Sequence, residues 1–183
     1  MKLVGVSGTR AGNKTSQAVY DVLAAAKRLD TSIETELIDL KDYDISFADG
    51  SPLAYFDDDT WMVADKIMAA DCLVFGAPIY QASIPGVLKN LLDHFPENAF
   101  KYKVTGIVAT GWSEKHFLVT EYQLKPVLSY LKGLVPTGNV FVQNDCFSLE
   151  GEEIINERVA KRLENLADEV LFLQRSLNER WQR

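Results

Sequence analysis

Cysteine and histidine are scarce in this sequence, with two of each among 183 residues. Cys72 and Cys146 lie within or at the end of apolar runs and form no CxxC motif, so we interpret both as buried packing residues. His94 and His116 are far apart, and neither has a neighbouring cysteine or histidine. The ligand spacing of a metal site is therefore missing, and the sequence predicts no metal centre.

Positive charge and long apolar runs are also scarce. Lys and Arg number 19 against 26 Asp and Glu, and the formal net charge is -7. This balance disfavours a broad electropositive face for nucleic acid or anionic lipid. No apolar run approaches the roughly 20 residues of a membrane-spanning helix, and the first run, which follows Lys2, ends at Val6 and does not resemble a signal peptide. We expect a cytoplasmic protein that binds neither nucleic acid nor membrane.

What the sequence does contain is a regular alternation of two patterns. Apolar, β-rich runs recur five times, and segments with the period of a helix lie between them. The runs cover residues 3–7, 33–39, 72–76, 104–110 and 139–142. Two of them show no polar alternation, as expected when helices cover both faces of a parallel sheet. With 47% apolar residues and no change of composition along the chain, residues 1–183 are expected to form one domain.

This alternation fits an α/β fold of the flavodoxin-like type, a three-layer sandwich with a five-stranded parallel sheet of order 2-1-3-4-5. In such a sheet, ligands bind beyond the carboxyl ends of strands 1 and 3, where the strand order reverses. The loops that follow Val6, Gly76 and Thr110 are therefore expected to share one site.

Two segments depart from the alternation. Residues 42–60 are acidic and rich in turn-forming residues, which predicts a long irregular loop with a helix starting near Trp61. A loop of that length is often functional, although a solvated insertion without a role stays an alternative.

The second segment, residues 151–181, has apolar residues every three or four positions from Ile155 to Trp181, which predicts one amphipathic helix. A helix of roughly 30 residues is about 45 Å long, more than a last sheet-covering helix needs in a domain of this size. The surplus predicts a subunit contact in a homodimer or homotetramer, with a helix overhanging into solvent as the alternative.

The loop after the first run is the first candidate binding site. Residues 7–16 combine glycines, hydroxyls and two cations just before a helix pattern, an arrangement that suits an anion. Their spacing is one residue away from the P-loop GxxxxGK[ST], because Asn13 takes the place of the second glycine. A P-loop enzyme also needs an Asp at a strand end for Mg²⁺, and the runs ending near Gly76 and Thr110 have none. The spacing of the glycines also does not match GxGxxG, the fingerprint of a dinucleotide-binding loop. A ligand with a single phosphate group is therefore favoured.

The residues themselves suggest how such a ligand would be held. The phosphate would contact the N–H groups of residues 10–16 at the start of a helix. Hydroxyls and cations of the same loop would add to this, from Ser7, Thr9, Thr15, Ser16, Arg10 and Lys14. In the loop after the third run, Pro78 fixes the backbone, Ile79 and Tyr80 offer apolar and aromatic walls, and residues 81–83 offer N–H groups. These features suit a flat isoalloxazine ring.

At residues 78–93 the sequence resembles the NADPH-dependent FMN reductase family of flavodoxin-like proteins. The family loop reads approximately P-x-Y-x-x-S-x-P-G-x-L-K-N-x-x-D, and every fixed position is filled here from Pro78 to Asp93. Residues 7–10 and 13–16 are similar to the family's first loop, with Ser-Gly in place of Gly-Ser. Residues 109–113 are similar to its A-T-G-G-S loop, with Trp112 in place of a glycine.

The resemblance implies FMN as cofactor, NADPH or NADH as co-substrate, and a small-molecule electron acceptor such as a flavin or quinone. Because the flavin carries the chemistry, no side chain is expected to be catalytic. The expected FMN-binding residues are Ser7, Thr9, Arg10, Asn13, Lys14, Thr15, Ser16, Pro78, Ile79, Tyr80, Gln81, Ala82, Ser83, Thr110, Gly111 and Trp112.

Three alternatives stay open. A flavodoxin-type electron carrier would bind FMN without reacting with nicotinamide, although such carriers show T-x-T-G-x-T in loop one, which this chain lacks. A P-loop-like nucleotide-binding protein is less favoured. A reductase dedicated to one organic substrate would use residues 42–60 for specificity. A related branch of the family holds an iron–sulfur cluster through cysteines in that loop, which contains none here.

Overall fold

The computed structural model describes residues 1–181 and contains a five-stranded sheet. Its strands are β1 (Lys2–Ser7), β2 (Glu34–Asp39), β3 (Cys72–Pro78), β4 (Thr105–Gly111) and β5 (Val140–Gln143). Their order is β2-β1-β3-β4-β5, and every pairing is parallel. The five predicted runs match the strands to within two residues at each end, and the predicted order is confirmed.

Helices cover both faces of the sheet. They are α1 (Lys14–Leu29), α2 (Asp59–Ala69), α3 (Gly86–Asp93), α4 (Lys125–Tyr130) and α5 (Glu157–Trp181). The buried side chains of α1 and α5 form one apolar cluster with one face of the sheet, and those of α2, α3 and α4 form a second cluster with the other face. A π-helical turn, Thr120–Leu124, leads directly into α4. The predicted three-layer sandwich is thus confirmed.

Two glycines set the height of α1 above the sheet. A Cβ atom built at Gly5 would lie 2.4 Å from Cγ1 of Val19, and one built at Gly76 would lie 2.4 Å from Cγ2 of the same residue. Because valine is stiff at χ1, any side chain at either glycine would push α1 outwards. The glycines of β1 and β3 therefore keep α1 close to the two strands whose carboxyl ends form the switch point.

The acidic segment 42–60 is irregular, as predicted, apart from a 3₁₀ turn at Leu53–Tyr55 and the start of α2. α2 begins at Asp59, slightly before the predicted start near Trp61, because the Asp58 carboxylate accepts a hydrogen bond from the Thr60 N–H at 2.8 Å. This cap satisfies one of the free donors at the helix start.

The same segment is tied to α3. The Asn90 side chain donates to the Ser46 carbonyl and accepts from the Ala48 N–H, both at 2.9 Å. His94 Nε2 also lies 2.9 Å from the Ser46 carbonyl oxygen. Asn90 and His94, at and just after the end of the family-like 78–93 stretch, therefore position the acidic loop.

The predicted C-terminal helix begins later than its apolar pattern suggests. α5 starts at Glu157, because Gly151 has φ +73 and residues 147–154 form a short hairpin closed by a bridge between Phe147 and Ile154. Asn156 then caps the helix, because its side-chain oxygen accepts from the N–H groups of Arg158 and Val159 at 3.1 and 3.2 Å. The hairpin 147–154 is therefore a separate element that a three-and-four spacing concealed.

With 25 residues, α5 is about 38 Å long at 1.5 Å per residue. Its apolar stripe is buried within its own chain, through Val159, Leu163, Leu166 and Val170. Ile155 lies before the helix and is exposed. The side chain of Trp181 and residues 182–183 lie outside the described part. The apolar stripe of α5 therefore packs in the core of its own chain. The expected subunit contact stays a prediction.

Cys72 is fully buried, as predicted, whereas Cys146, in the turn after β5, is only partly buried and packs against the edge of the first apolar cluster. Both are free thiols. Within residues 1–181, no helix is both long enough and apolar enough to cross a membrane.

Candidate functional site

Three loops meet where β1, β3 and β4 end. The Gly8 N–H donates to the Gly76 carbonyl at 2.8 Å, which joins the loop after β1 to the last residues of β3. The hydroxyls of Thr15 and Thr110 lie 2.8 Å apart in a buried contact, which joins α1 to the end of β4. The predicted convergence of the three loops is therefore present in the structure.

Between these loops lies a cavity of about 280 Å³, which we call the cradle cavity. Its lining comes from all three loops and from the segment after β5. The lining residues are Thr9, Ala11, Gly12, Asn13, Lys14, Thr15, Pro78, Tyr80, Thr110, Asn144 and Glu150.

The first turn of α1 opens into the cradle cavity without a side-chain cap. Asn13 occupies the N-cap position but makes no capping hydrogen bond, because its Oδ1 accepts from Lys41 Nζ at 3.0 Å. No acidic residue lies in the first turn either. The positive end of the helix dipole and its N–H groups are therefore available to an anion.

The two cations of the first loop differ in position. Lys14 lines the cavity, where its Nζ donates to the Asn144 carbonyl at 3.1 Å and lies 5.8 Å from the centre of the Trp112 ring. The Arg10 guanidinium instead donates to the Tyr43 carbonyl at 2.6 Å, in the segment after β2. The side chain of Arg10 therefore fastens a neighbouring loop, and only Lys14 brings its charge to the cavity.

The hydroxyls of the first loop also divide. Thr9 and Thr15 line the cavity, and the Thr9 hydroxyl is within hydrogen-bond distance of the Tyr80 hydroxyl, at 3.2 Å. The Ser7 hydroxyl is fully buried below the loop and has no hydrogen-bond partner in the described chain. Ser16 donates to a carbonyl of the preceding turn at 2.9 Å. Of the four expected hydroxyls, the two threonines therefore face the cavity.

The second loop folds into a tight turn. The backbones of Tyr80 and Ser83 exchange two hydrogen bonds of 3.0 Å, with Gln81 at φ +47 and Ala82 at φ +59 between them. This left-handed pair is typical of a two-residue hairpin turn that glycine or asparagine usually occupies. A non-glycine residue in this region costs roughly 1–2 kcal/mol, and such strain concentrates at functional sites. The two turn residues are exposed and stand beside the cavity rather than in its wall.

An aromatic surface borders the cavity. Trp112 is 82% exposed and its ring lies beside Lys14, and Tyr80, in the cavity wall, is about half exposed. Ile79 donates its N–H to the Thr110 carbonyl, and Gly111 is buried against the Phe141 ring, so these two residues shape the loops without lining the cavity. Flat apolar side chains next to an anion-binding helix start would suit a ligand with a planar ring and a phosphate.

Sequence reasoning missed Asn144 and Glu150. Both lie beyond β5, whose carboxyl end opens onto the same edge of the sheet as those of β1, β3 and β4. The general rule for open α/β sheets pointed to this edge, but the continuous helix predicted for residues 151–181 hid the hairpin 147–154 that carries Glu150. The cavity therefore contains an acidic group that the sequence motifs did not indicate.

The chain is similar to known flavin reductases over most of its length. The model of the NADPH-dependent FMN reductase family matches residues 1–146. An NAD(P)H-dependent FAD/FMN reductase of Geobacillus thermodenitrificans is 42% identical over 177 residues, which is 97% of this chain and 95% of that protein. An FMN reductase (NADPH) of Pseudomonas aeruginosa is 29% identical over 91% of this chain and 89% of its own.

A solved structure agrees with these sequence matches. The apo form of the NADH:FMN oxidoreductase EmoB superimposes with a TM-score of 0.77 at 28% identity, over 96% of this chain and 89% of that one. The superposition covers nearly all of the described fold. Together with the family match, which covers all three loops of the cradle cavity, this shows that the chain belongs to the NADPH-dependent FMN reductase family.

Proposed function

We propose that the cradle cavity is the seat of the FMN phosphate in an NAD(P)H-dependent oxidoreductase that reduces a small-molecule acceptor. The observation that carries this proposal is the uncapped start of α1, which opens into a cavity lined by Lys14, Thr9 and Thr15. A phosphate placed there would receive N–H donors, a cation and two hydroxyls. The residues present therefore fit the phosphate of FMN.

The chain's remaining role is to position the ring and to limit water around it. Pro78 and Tyr80 form the wall on the side of β3, and the exposed Trp112 ring lies on the side of β4. When bound, FMN supplies the chemistry, since it accepts a hydride from the nicotinamide and passes two electrons on to an acceptor. Acceptors with a flat ring, such as a second flavin or a quinone, suit the aromatic surface beside the cavity.

Steady-state oxidation of NADPH or NADH, at increasing FMN concentration, tests this proposal. Lys14→Ala should raise the FMN concentration that gives half-maximal rate by about tenfold, because a charge-assisted hydrogen bond contributes about 1.5–3 kcal/mol. Lys161→Ala is the control, since Lys161 lies on α5 and pairs with Glu164 at 2.6 Å, away from the cavity. Equal FMN dependence in the two variants would show that the phosphate binds elsewhere.

We also propose that the protein assembles as a homodimer or homotetramer in the cytoplasm. Support for assembly comes from a groove of about 420 Å³ between α3 and α4, whose apolar lining includes Leu92, Val127 and Tyr130. Support for the compartment comes from the two free thiols, which are usual in reducing surroundings. Sedimentation at micromolar concentration tests the first statement, and cell fractionation tests the second; a strict monomer would contradict the assembly.

A further inference from the structure

A second cavity, of about 530 Å³, lies at the free edge of the sheet formed by β5. We call it the β5-edge cavity. Its walls come from the loop after β4, from β5 with the turn that follows it, and from the first turns of α5. Gln143 in its wall donates to the Trp112 carbonyl at 3.2 Å. The β5-edge cavity therefore begins directly beside the loop that borders the cradle cavity.

Two arginines of α5 give this cavity its charge. Arg158 and Arg162 are four residues apart, so they lie on the same side of the helix, and both line the cavity. Both residues are exposed, and neither guanidinium forms a hydrogen bond or ion pair with any residue between 1 and 181. Arg10 and Arg175, in contrast, are held by a carbonyl and by Asp30 at 2.6 Å. Two free guanidinium groups at one cavity indicate an anionic ligand, and their planar forks suit phosphate best.

The rest of the lining indicates more than a bare phosphate. The rings of Phe117 and Phe141 offer flat apolar surface, and Glu114 offers a carboxylate that can accept from an amine or a hydroxyl. A free phosphate ion would gain nothing from the rings and would be repelled by Glu114. A phosphorylated purine nucleoside uses all three features, through its phosphate, its base and its amino or ribose hydroxyl groups.

Cys146 also lines the β5-edge cavity, so a reactive thiol is the alternative function for this cavity. Partial burial raises the pKa of this thiol, and the nearby Asp145 and Glu114 carboxylates raise it further. The thiol is therefore protonated at neutral pH and a poor nucleophile. Its place in the cavity is better explained as part of the apolar wall.

We propose that the β5-edge cavity binds the adenosine end of the pyridine nucleotide, with Arg158 and Arg162 holding the 2′-phosphate that distinguishes NADPH from NADH. This inference rests on the proposed function, because the nicotinamide must reach the flavin from the same side. The Gln143 contact with the Trp112 carbonyl places the two cavities next to each other, which allows one nucleotide to span them. The chain is thereby assigned a preference for NADPH.

Binding to flavin-free protein tests this site without any redox step. Isothermal titration with adenosine 2′,5′-bisphosphate should give binding that is at least about tenfold tighter than with adenosine 5′-monophosphate. Arg158→Ala combined with Arg162→Ala should remove that difference. Lys161→Ala, which removes one charge from the same helix outside the cavity, should preserve it. Far-UV circular dichroism checks that α5 stays folded in each variant.

Steady-state kinetics separates this inference from the proposed function. The double arginine variant should raise KM for NADPH at least about tenfold and leave KM for NADH within about twofold. If NADPH and NADH are oxidised with unchanged selectivity, the cavity assignment is wrong while the reductase stands. If the bisphosphate binds through the arginines but neither nucleotide is oxidised, the reductase proposal is wrong instead. Displacement of the bisphosphate by FMN would reassign the cavity to a phosphorylated flavin and overturn the inference.

Discussion

Glu150 is the acidic group of the cradle cavity, and we expect it to weaken FMN binding. The cavity of 280 Å³ is about 8 Å across if spherical, so two unit charges on opposite sides interact by about 0.5 kcal/mol at the dielectric constant of water. A phosphate that carries nearly two charges doubles this repulsion to about 1 kcal/mol. Glu150→Gln should therefore tighten FMN binding about fivefold.

The assay is a flavin fluorescence titration at low ionic strength, because salt screens an exposed charge. Riboflavin, which lacks the phosphate, is the matched ligand, and its affinity should not change. Glu179→Gln is the matched protein, since Glu179 is exposed near the far end of α5. If FMN and riboflavin gain equally in Glu150→Gln, the effect is not electrostatic and the placement of the phosphate opposite Glu150 is refuted. An unchanged FMN affinity at low salt would refute it as well.

Three further predictions concern strain, charge and thiols. Ala82→Gly should relieve the left-handed turn by about 1 kcal/mol and raise the melting temperature by about 2–4 °C, as calorimetry can measure. Glu36, whose pKa is lowered by hydrogen bonds from Lys2 and Lys66, stabilises the fold above pH 4.5 and loses this effect as pH falls through its folded-state pKa. Glu36→Gln should therefore lower the melting temperature at pH 7, by an amount equivalent to about 1 kcal/mol or less, but not in strong acid; an equal loss at both pH values would contradict this. Burial raises the pKa of Cys72 to about 12, so iodoacetamide should label Cys146 first as pH rises and should reach Cys72 only on unfolding; rapid labelling of Cys72 in the folded protein would contradict its burial.

The strands and the sheet order were predictable because a buried parallel strand leaves an unmistakable apolar run. Leu73-Val74-Phe75 is covered on both faces and has no polar alternation, which is the pattern of a buried parallel strand. The position of the site followed from the sheet order, since the switch point is a property of topology. Even the irregular character of residues 42–60 followed from their composition.

Individual side-chain roles could not be predicted in the same way. Arg10 and Lys14 look equivalent in sequence, yet the carbonyl of Tyr43 holds one away from the cavity and the other remains in its wall. Their difference depends on contacts with segments about 30 and 130 residues away. The start of α5 was misplaced for a local reason, because Gly151 turns the chain within a stretch whose apolar spacing still resembled a helix.

The central claim is that FMN in this protein takes electrons from a reduced pyridine nucleotide and releases them to a small acceptor. Anaerobic titration of the FMN-loaded protein with NADPH, followed by flavin absorbance, tests it most directly. We expect the yellow colour to bleach with about one equivalent of NADPH, as a hydride carries two electrons, and to return when a quinone is added. Protein that binds FMN but keeps its oxidised spectrum in excess NADPH and NADH would contradict the account.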